Sequence, residues 1–256
     1  MSAPPVVDAA WLAEHAGDAD VLVADVRGPN AHARGHIPGS IPMMIGTPGQ
    51  FSSPEVREDF ASEAALRLRR HGVTGDEQLV LYDGGDLTNA AAAFQVAEMG
   101  GHANVAVLAG GLAAWPGDVE ATKIEVEKSR AELVPRPESV IGWWEVAESG
   151  ALILDVRRDD EFTGKGGYPC DPRQGHIPGA RNVEVSTLFA GPGRPKPADE
   201  VRALVGDHDG PVITYCHSGS RSGLAVVALR AAGYDARNYF GSWHEWSRHD
   251  ELPMER

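Results

Sequence analysis

The same ordered set of short motifs occurs twice in this chain, and that duplication constrains the fold more than any single residue does. Val21-Leu-Val-Ala-Asp25-Val-Arg27 is matched by Leu152-Ile-Leu-Asp155-Val-Arg157. Arg34-Gly-His36-Ile-Pro-Gly39-Ser is matched by Gln174-Gly-His176-Ile-Pro-Gly179-Ala. Leu79-Val-Leu-Tyr82-Asp83 is matched by Val212-Ile-Thr-Tyr215-Cys216, and Gly111-Leu-Ala-Ala-Trp115 loosely by Gly241-Ser-Trp-His-Glu-Trp246. The period exceeds that of solenoid units and means duplicated domains. A length of 256 residues accommodates two ordinary domains.

Each half alternates β-branched runs with helical patterns. In the first, Asp8 is suited to cap a helix over Ala9–His15, and a strand follows at Val21–Asp25. Pro54–His71 carries Phe60, Ala64 and Leu68 four residues apart, the stripe of an amphipathic helix. Strand Gln78–Tyr82, helix Asn89–Met99, strand Val105–Leu108 and a short helix Leu112–Trp115 complete that half. The second half predicts helix Ser139–Glu148, strand Leu152–Asp155, helix Ala198–Leu204, strand Val212–Tyr215, helix Ser222–Ala232 and strand Ala236–Tyr239. Such alternation implies an α/β fold, a mostly parallel sheet covered by helices on both faces. Domains are expected at 6–118 and 138–256, with the charged, Pro-bounded stretch 119–137 as linker. Asp25 and Gly35 are ten residues apart, whereas Asp155 and Gly175 are twenty apart. The extra piece, Gly164 to Arg173, is a Gly/Pro-rich loop able to line a site, although most insertions only decorate a surface.

In parallel sheets, ligands sit beyond the carboxyl ends of strands. Cys216 lies at such an end, followed by His217-Ser218-Gly219-Ser220-Arg221 and then a helix. A thiol held at a helix N-terminus loses its proton readily and becomes a nucleophile. Backbone N–H groups from His217 to Ser222 are placed to curl around the sulfur, with Gly219 permitting the backbone bend. Ser218 and Ser220 are candidate hydrogen-bond donors to the sulfur, or simply small loop residues. Arg221 either presents its guanidinium to an anionic substrate or pairs with a nearby carboxylate. His217 either assists the substrate as a proton donor or hydrogen bonder, or faces solvent. His36 and His176 recur in both halves, so a structural turn role outweighs a catalytic one. Asp25 and Asp155 read as strand-end groups tying down loops, with Asp155 able to orient the cysteine loop. The first half has Asp83 where the second has Cys216, so the fold does not itself require the thiol.

A net charge of −14 opposes nucleic acid and anionic membranes as partners. Two cysteines, Cys170 and Cys216, give no disulfide framework, and a reducing compartment is expected. They show no metal-type spacing with each other or with His, so no metal or cofactor is expected. The N-terminus lacks a basic and then apolar leader pattern, and no apolar run spans a membrane, so a cytoplasmic protein is expected.

The ordered, duplicated set resembles the tandem-domain rhodanese family of sulfurtransferases over nearly the whole chain. That resemblance implies two domains with five-stranded parallel sheets, the first catalytically silent, the second carrying the active-site cysteine. It implies sulfur transfer from thiosulfate to cyanide or a thiol through a persulfide on Cys216, with 3-mercaptopyruvate the alternative donor. It also places Arg173 where family members carry an anion-binding arginine. Partners would be a small anionic sulfur donor and a thiol or cyanide acceptor, including a protein acceptor. Two rivals stand beside this reading. One is a cysteine phosphatase, disfavoured because Arg221 falls at Cys-x4-Arg, one residue short of the phosphatase loop. The other is a non-catalytic sulfur-carrier or binding module.

Overall fold

The computed structural model describes residues 4–256, leaving Met1–Ala3 of the N-terminal reading outside the described residues. The chain divides into two compact units. The first comprises residues up to 48 with 55–138 and 191–194; the second comprises 49–54, 139–190 and 195–256.

In the first unit the elements are β1 (Val6–Val7), α1 (Ala9–His15), β2 (Val21–Asp25), α2 (Pro29–His32), β3 (Ile41–Pro42), α3 (Pro54–Arg70), β4 (Gln78–Tyr82), α4 (Thr88–Met99) and β5 (Val105–Leu108). The strands form a five-stranded sheet in the order β1-β5-β4-β2-β3. All of its pairings are parallel. Leu79, Val80, Leu81 and Tyr82 are fully buried, as a central parallel strand covered on both faces requires.

The second unit repeats this with β6 (Val140–Ile141), α5 (Trp143–Val146), β7 (Leu152–Asp155), α6 (Asp159–Phe162), β8 (Arg181–Asn182), a separate pair β9 (Phe189–Gly191) and β10 (Arg194–Pro195), α7 (Ala198–Val205), β11 (Val212–Tyr215), α8 (Ser220–Ala231), β12 (Ala236–Tyr239) and α9 (Ser242–Trp246). Its five-stranded sheet, β6-β12-β11-β7-β8, has the same order of equivalent strands and is also parallel. The α/β architecture expected from the sequence is thus present in both units, each with one five-stranded parallel sheet.

Three of the expected helices differ from the sequence reading, and the short elements β1, α2, β3, α6 and β8–β10 add to it. The helix expected over Ser139–Glu148 is a 3₁₀ turn (Pro137–Ser139), then strand β6, then the four-residue helix α5. Val140 and Ile141 are β-branched and join the sheet edge beside β12. The helix restarts after Gly142, whose N–H is accepted by Glu145 Oε2 at 2.8 Å. The helix expected at Leu112–Trp115 is a 3₁₀ turn over Gly111–Ala114. Helix α8 starts two residues earlier than expected, at Ser220, because left-handed Gly219 already turns the chain into it.

The duplicated motifs act as one set of ties, made once in each unit. Asp25 grips Arg27 through Nη2 at 2.6 Å, and the same nitrogen donates to the Gly35 carbonyl at 2.6 Å. Asp155 grips Arg157 at 2.6 Å, and Arg157 donates to the Gly175 carbonyl at 2.7 Å. The next N–H but one, on Ile37 or Ile177, donates to the hydroxyl of Tyr82 or Tyr215 at 3.1 Å in each case. His36 Nδ1 lies 2.9 Å from the His32 carbonyl, and His176 Nδ1 lies 2.9 Å from that of Phe162. Each histidine backbone then pairs with a glutamate, His36 with Glu120 and His176 with Glu255. The motif fastens the turn after the helix to the sheet and to a later strand-like segment.

Candidate active site

Cys216 follows the last residue of β11, where the chain leaves the carboxyl edge of the sheet. Three backbone ties fix the loop behind it. The Cys216 N–H donates to Ser242 Oγ at 3.1 Å, the Trp243 N–H to the Cys216 carbonyl at 3.0 Å, and the His244 N–H to the His217 carbonyl at 2.9 Å. Gly219 has φ +91°, and a Cβ there would meet the Phe240 ring at 2.6 Å and its carbonyl oxygen at 2.7 Å. Glycine is therefore required on two counts, backbone region and space.

The sulfur is held inside this loop, with Cys216 only 1% exposed. Gly219 N–H donates to Sγ at 3.1 Å and Ser222 Oγ lies 3.4 Å from it. Ser222 has one proton, shared between Sγ and the Gly219 carbonyl at 3.1 Å. That carbonyl also accepts from Asn238 Nδ2 at 3.0 Å and from Gly223 N–H at 2.9 Å, so ionisation of the thiol can draw the hydroxyl to sulfur. Ser242 Oγ stands 4.0 Å from Sγ but donates to the Tyr239 carbonyl at 2.9 Å. Ser242 positions the Cys216 backbone, and it does so at φ +56°, a strained conformation for a serine. The N-terminus of the 12-residue helix α8, one residue past Gly219, adds its partial positive charge.

The same place in the first unit is an anion cradle filled by the chain itself. Asp83 Oδ1 accepts from Gly85 N–H at 2.9 Å and Leu87 N–H at 3.2 Å. Its Oδ2 accepts from Asn89 N–H at 3.1 Å and Ala90 N–H at 3.3 Å. Burial pushes the Asp83 carboxyl up despite these donors. Convergent N–H groups at this edge are a property of the fold, and only the second unit offers them to a reactive atom.

The other expected site residues divide. Arg221 bonds both oxygens of Glu161, Nη1 to Oε2 at 2.7 Å and Nη2 to Oε1 at 2.8 Å. Those hydrogen bonds, and then the nearby Cys216 sulfur, raise its pKa against the effect of burial. So Arg221 is beside the sulfur, yet its fork is occupied by a carboxylate. His217 stacks on Tyr168 with ring centroids 3.7 Å apart, and burial lowers its pKa below the ordinary 6.5. That direction favours the neutral imidazole, which retains one N–H able to donate a hydrogen bond. Ser218 and Ser220 are exposed, and among the described residues the hydroxyls near Sγ belong to Ser222 and, farther off, Ser242 instead.

Arg173 is placed differently from its expected anion-binding role. Its guanidinium donates to the carbonyls of Trp246 (2.8 Å), Ser247 (3.0 Å), His249 (2.6 Å) and Leu252 (2.8 Å). It caps the open C-terminal end of α9, where carbonyls lack helical partners. Asp155 ties Arg157 and His176 contacts Phe162 and Glu255, so both are structural supports of the β7–β8 region. Trp243 is fully buried, donates to the Arg173 carbonyl at 3.0 Å and packs under the Arg157 guanidinium at 5.0 Å.

A Rhodanese-like domain pattern matches the chain twice, at residues 8–118 and 144–249. The 3-mercaptopyruvate sulfurtransferase of Escherichia coli (strain K12) is 33% identical, the alignment covering 100% of this chain and 99% of that protein. The putative thiosulfate sulfurtransferase SseB of Mycobacterium tuberculosis (strain H37Rv) is 32% identical, over 94% of this chain and 92% of the relative. A crystal structure described as a probable thiosulfate sulfurtransferase superposes with TM-score 0.76 at 28% identity, covering 93% of this chain and 98% of that one.

Proposed function

The chain belongs to the rhodanese-like family, and from that premise we propose that it is a sulfurtransferase working through a persulfide on Cys216. The observation carrying this reading is the sulfur cradle: a buried thiol with Gly219 N–H and Ser222 Oγ converging on it at a helix N-terminus. Those donors stabilise a thiolate, and the cradle holds one sulfur atom rather than a tetrahedral phosphate.

With thiosulfate as donor, the Cys216 thiolate attacks the outer sulfur. A new S–S bond forms, the old one breaks, and sulfite leaves with its electron pair. An acceptor thiolate or cyanide then attacks the terminal sulfur of the persulfide and releases the thiolate again. Two half-reactions through a covalent enzyme give ping-pong kinetics. Arg221 supplies the positive charge beside the sulfur that favours an anionic donor. We propose the first unit, with Asp83 in the equivalent cradle, as catalytically silent.

A second reading, 3-mercaptopyruvate as donor, is favoured by the Glu161 carboxylate on Arg221, which offsets charge a dianion would use. The relative of that name in Escherichia coli supports it as well. Measuring turnover of thiosulfate and 3-mercaptopyruvate in parallel, with cyanide as acceptor, decides between them. Higher kcat/KM for thiosulfate supports the first reading; higher kcat/KM for 3-mercaptopyruvate replaces it with the second.

Absence of any helix long and apolar enough to cross a membrane holds among the described residues.

A further inference from the structure

Cys170 and Asp171 lie in the inserted loop, His217 follows Cys216, and His244 is in α9. The fold brings these three stretches together. One donor atom from each of the four side chains lies within 4.8 Å of all the others. Cys170 Sγ is 3.9 Å from His217 Nε2 and 3.9 Å from His244 Nδ1. His217 Nε2 is 3.3 Å from Asp171 Oδ2, and His244 Nδ1 is 2.8 Å from Asp171 Oδ1. A tetrahedral zinc ion with bonds of about 2.0–2.3 Å sets its donor atoms roughly 3.3–3.6 Å apart. The Cys170–histidine and His217–Asp171 separations lie within about 0.6 Å of that spacing, and the widest pair, up to 4.8 Å apart, must close by roughly an ångström to reach it.

A second observation points to a cation position beside Asp171 Oδ2, since the cation Asp171 already contacts, Arg248, lies against Oδ1. The Asp171 side chain is only 1% exposed, and its Oδ2 has no hydrogen-bond partner among the described residues. Oδ2 faces the His217 imidazole at 3.3 Å, while His244 and Cys170 lie against Oδ1; a buried carboxylate oxygen in that position is costly unless a cation or donor satisfies it. The supports are already built: Tyr168 fixes the His217 ring by stacking, and the His244 N–H bonds the His217 carbonyl.

We propose that Cys170, Asp171, His217 and His244 form a tetrahedral site for a zinc-type divalent cation beside the Cys216 loop. One thiolate, two imidazoles and one carboxylate suit zinc, whereas magnesium and calcium take oxygen ligands. On binding, the Cys170 thiol releases its proton to solvent and its sulfur becomes a ligand. Arg248 now occupies the approach. Its Nη1 is 3.3 Å from Asp171 Oδ1 and 3.1 Å from His244 Nδ1, and its Nη2 donates to the Cys170 carbonyl at 2.6 Å, on a side chain 39% exposed. Arg248 thus competes with the cation for the same carboxylate.

The test is Zn²⁺ titration of the full chain, reduced and stripped of metal, against a chromophoric chelator, with Co²⁺ as spectroscopic probe. The expected result is one Zn²⁺ per chain, and with Co²⁺ the intense visible bands of a four-coordinate ion plus a near-ultraviolet thiolate band. Cys170 is exposed, so Cys170→Ser leaves the core intact; it should abolish the thiolate band and weaken Zn²⁺ roughly tenfold or more. Cys216→Ser should keep both signals, and Arg248→Ala should tighten binding. Zn²⁺ affinity unchanged by Cys170→Ser, or a thiolate band that survives it and vanishes with Cys216→Ser, overturns the site.

Discussion

Arg221 and Glu161 meet fork to fork, at 2.7 and 2.8 Å, with the carboxylate side chain fully buried and the guanidinium partly exposed beside the Cys216 sulfur. The pair joins α8, which begins the sulfur cradle, to α6, which follows the Asp155–Arg157 tie. It fixes Arg221 and also dilutes its charge. Replacing Glu161 by Gln keeps the shape and removes the negative charge. The account predicts a lower KM for thiosulfate in Glu161→Gln, with kcat changed less, read from steady-state kinetics at low salt.

The same pair sets an acid limit on stability. Burial pushes the Glu161 carboxyl up, but Arg221 outweighs it and holds the group below its ordinary 4.5. A depressed carboxyl contributes stability that is present above 4.5 and is lost as pH falls through the folded-state value. Urea midpoints measured from pH 6 down to pH 3 should therefore fall less steeply in Glu161→Gln than in the parent chain. Parallel curves would remove Glu161 from the acid transition.

Ser222→Ala deletes the hydroxyl 3.4 Å from Sγ and leaves the Gly219 donor in place. Loss of one hydrogen bond to a charged group is worth about 1.5–3 kcal/mol. The rate of sulfur loading from thiosulfate onto Cys216 should then fall by roughly tenfold or more, since about 1.4 kcal/mol corresponds to a factor of ten. Single-turnover loading followed by intact mass measures this directly.

Gly219→Ala attacks the cradle from both sides. The new Cβ would sit 2.6 Å from the Phe240 ring, and the loop must shift its N–H off the sulfur. Removing one preorganised donor at a developing anion costs about 10²–10³ in kcat. A variant within about tenfold of the parent kcat would contradict a cradle built on that N–H.

Much of this was legible in the sequence. The two Asp-Val-Arg strand ends, the two Gly-His-Ile-Pro-Gly turns and the lone strand-end thiol are local patterns, and each lies where its motif implied. The thiol's neighbours were less legible because they come from distant stretches. Ser242 reaches the Cys216 N–H across 26 residues, and Glu161 reaches Arg221 across 60. Ser222 carried a usable signal, since a first-turn serine in a helix that begins beside a thiol faces it. The edge strands β1, β3, β6 and β8 have two residues each, too few for any alternation to register. Arg173 differs from its expected place for a physical reason: four backbone carbonyls, of Trp246, Ser247, His249 and Leu252, converge at and beyond the end of the short Trp-bearing helix and together take up its guanidinium, a convergence no local sequence pattern shows. The Cys170 cluster was invisible to spacing because its ligands span 74 residues.

The central claim is that Cys216 carries the sulfur. Incubating the reduced chain with thiosulfate, removing excess donor and taking an intact mass tests it most directly, with peptide mapping to place the adduct. The account predicts one added sulfur atom on Cys216, discharged by cyanide as thiocyanate, and none in Cys216→Ser. An unmodified Cys216 after incubation with either thiosulfate or 3-mercaptopyruvate, or transfer activity retained by Cys216→Ser, would contradict it.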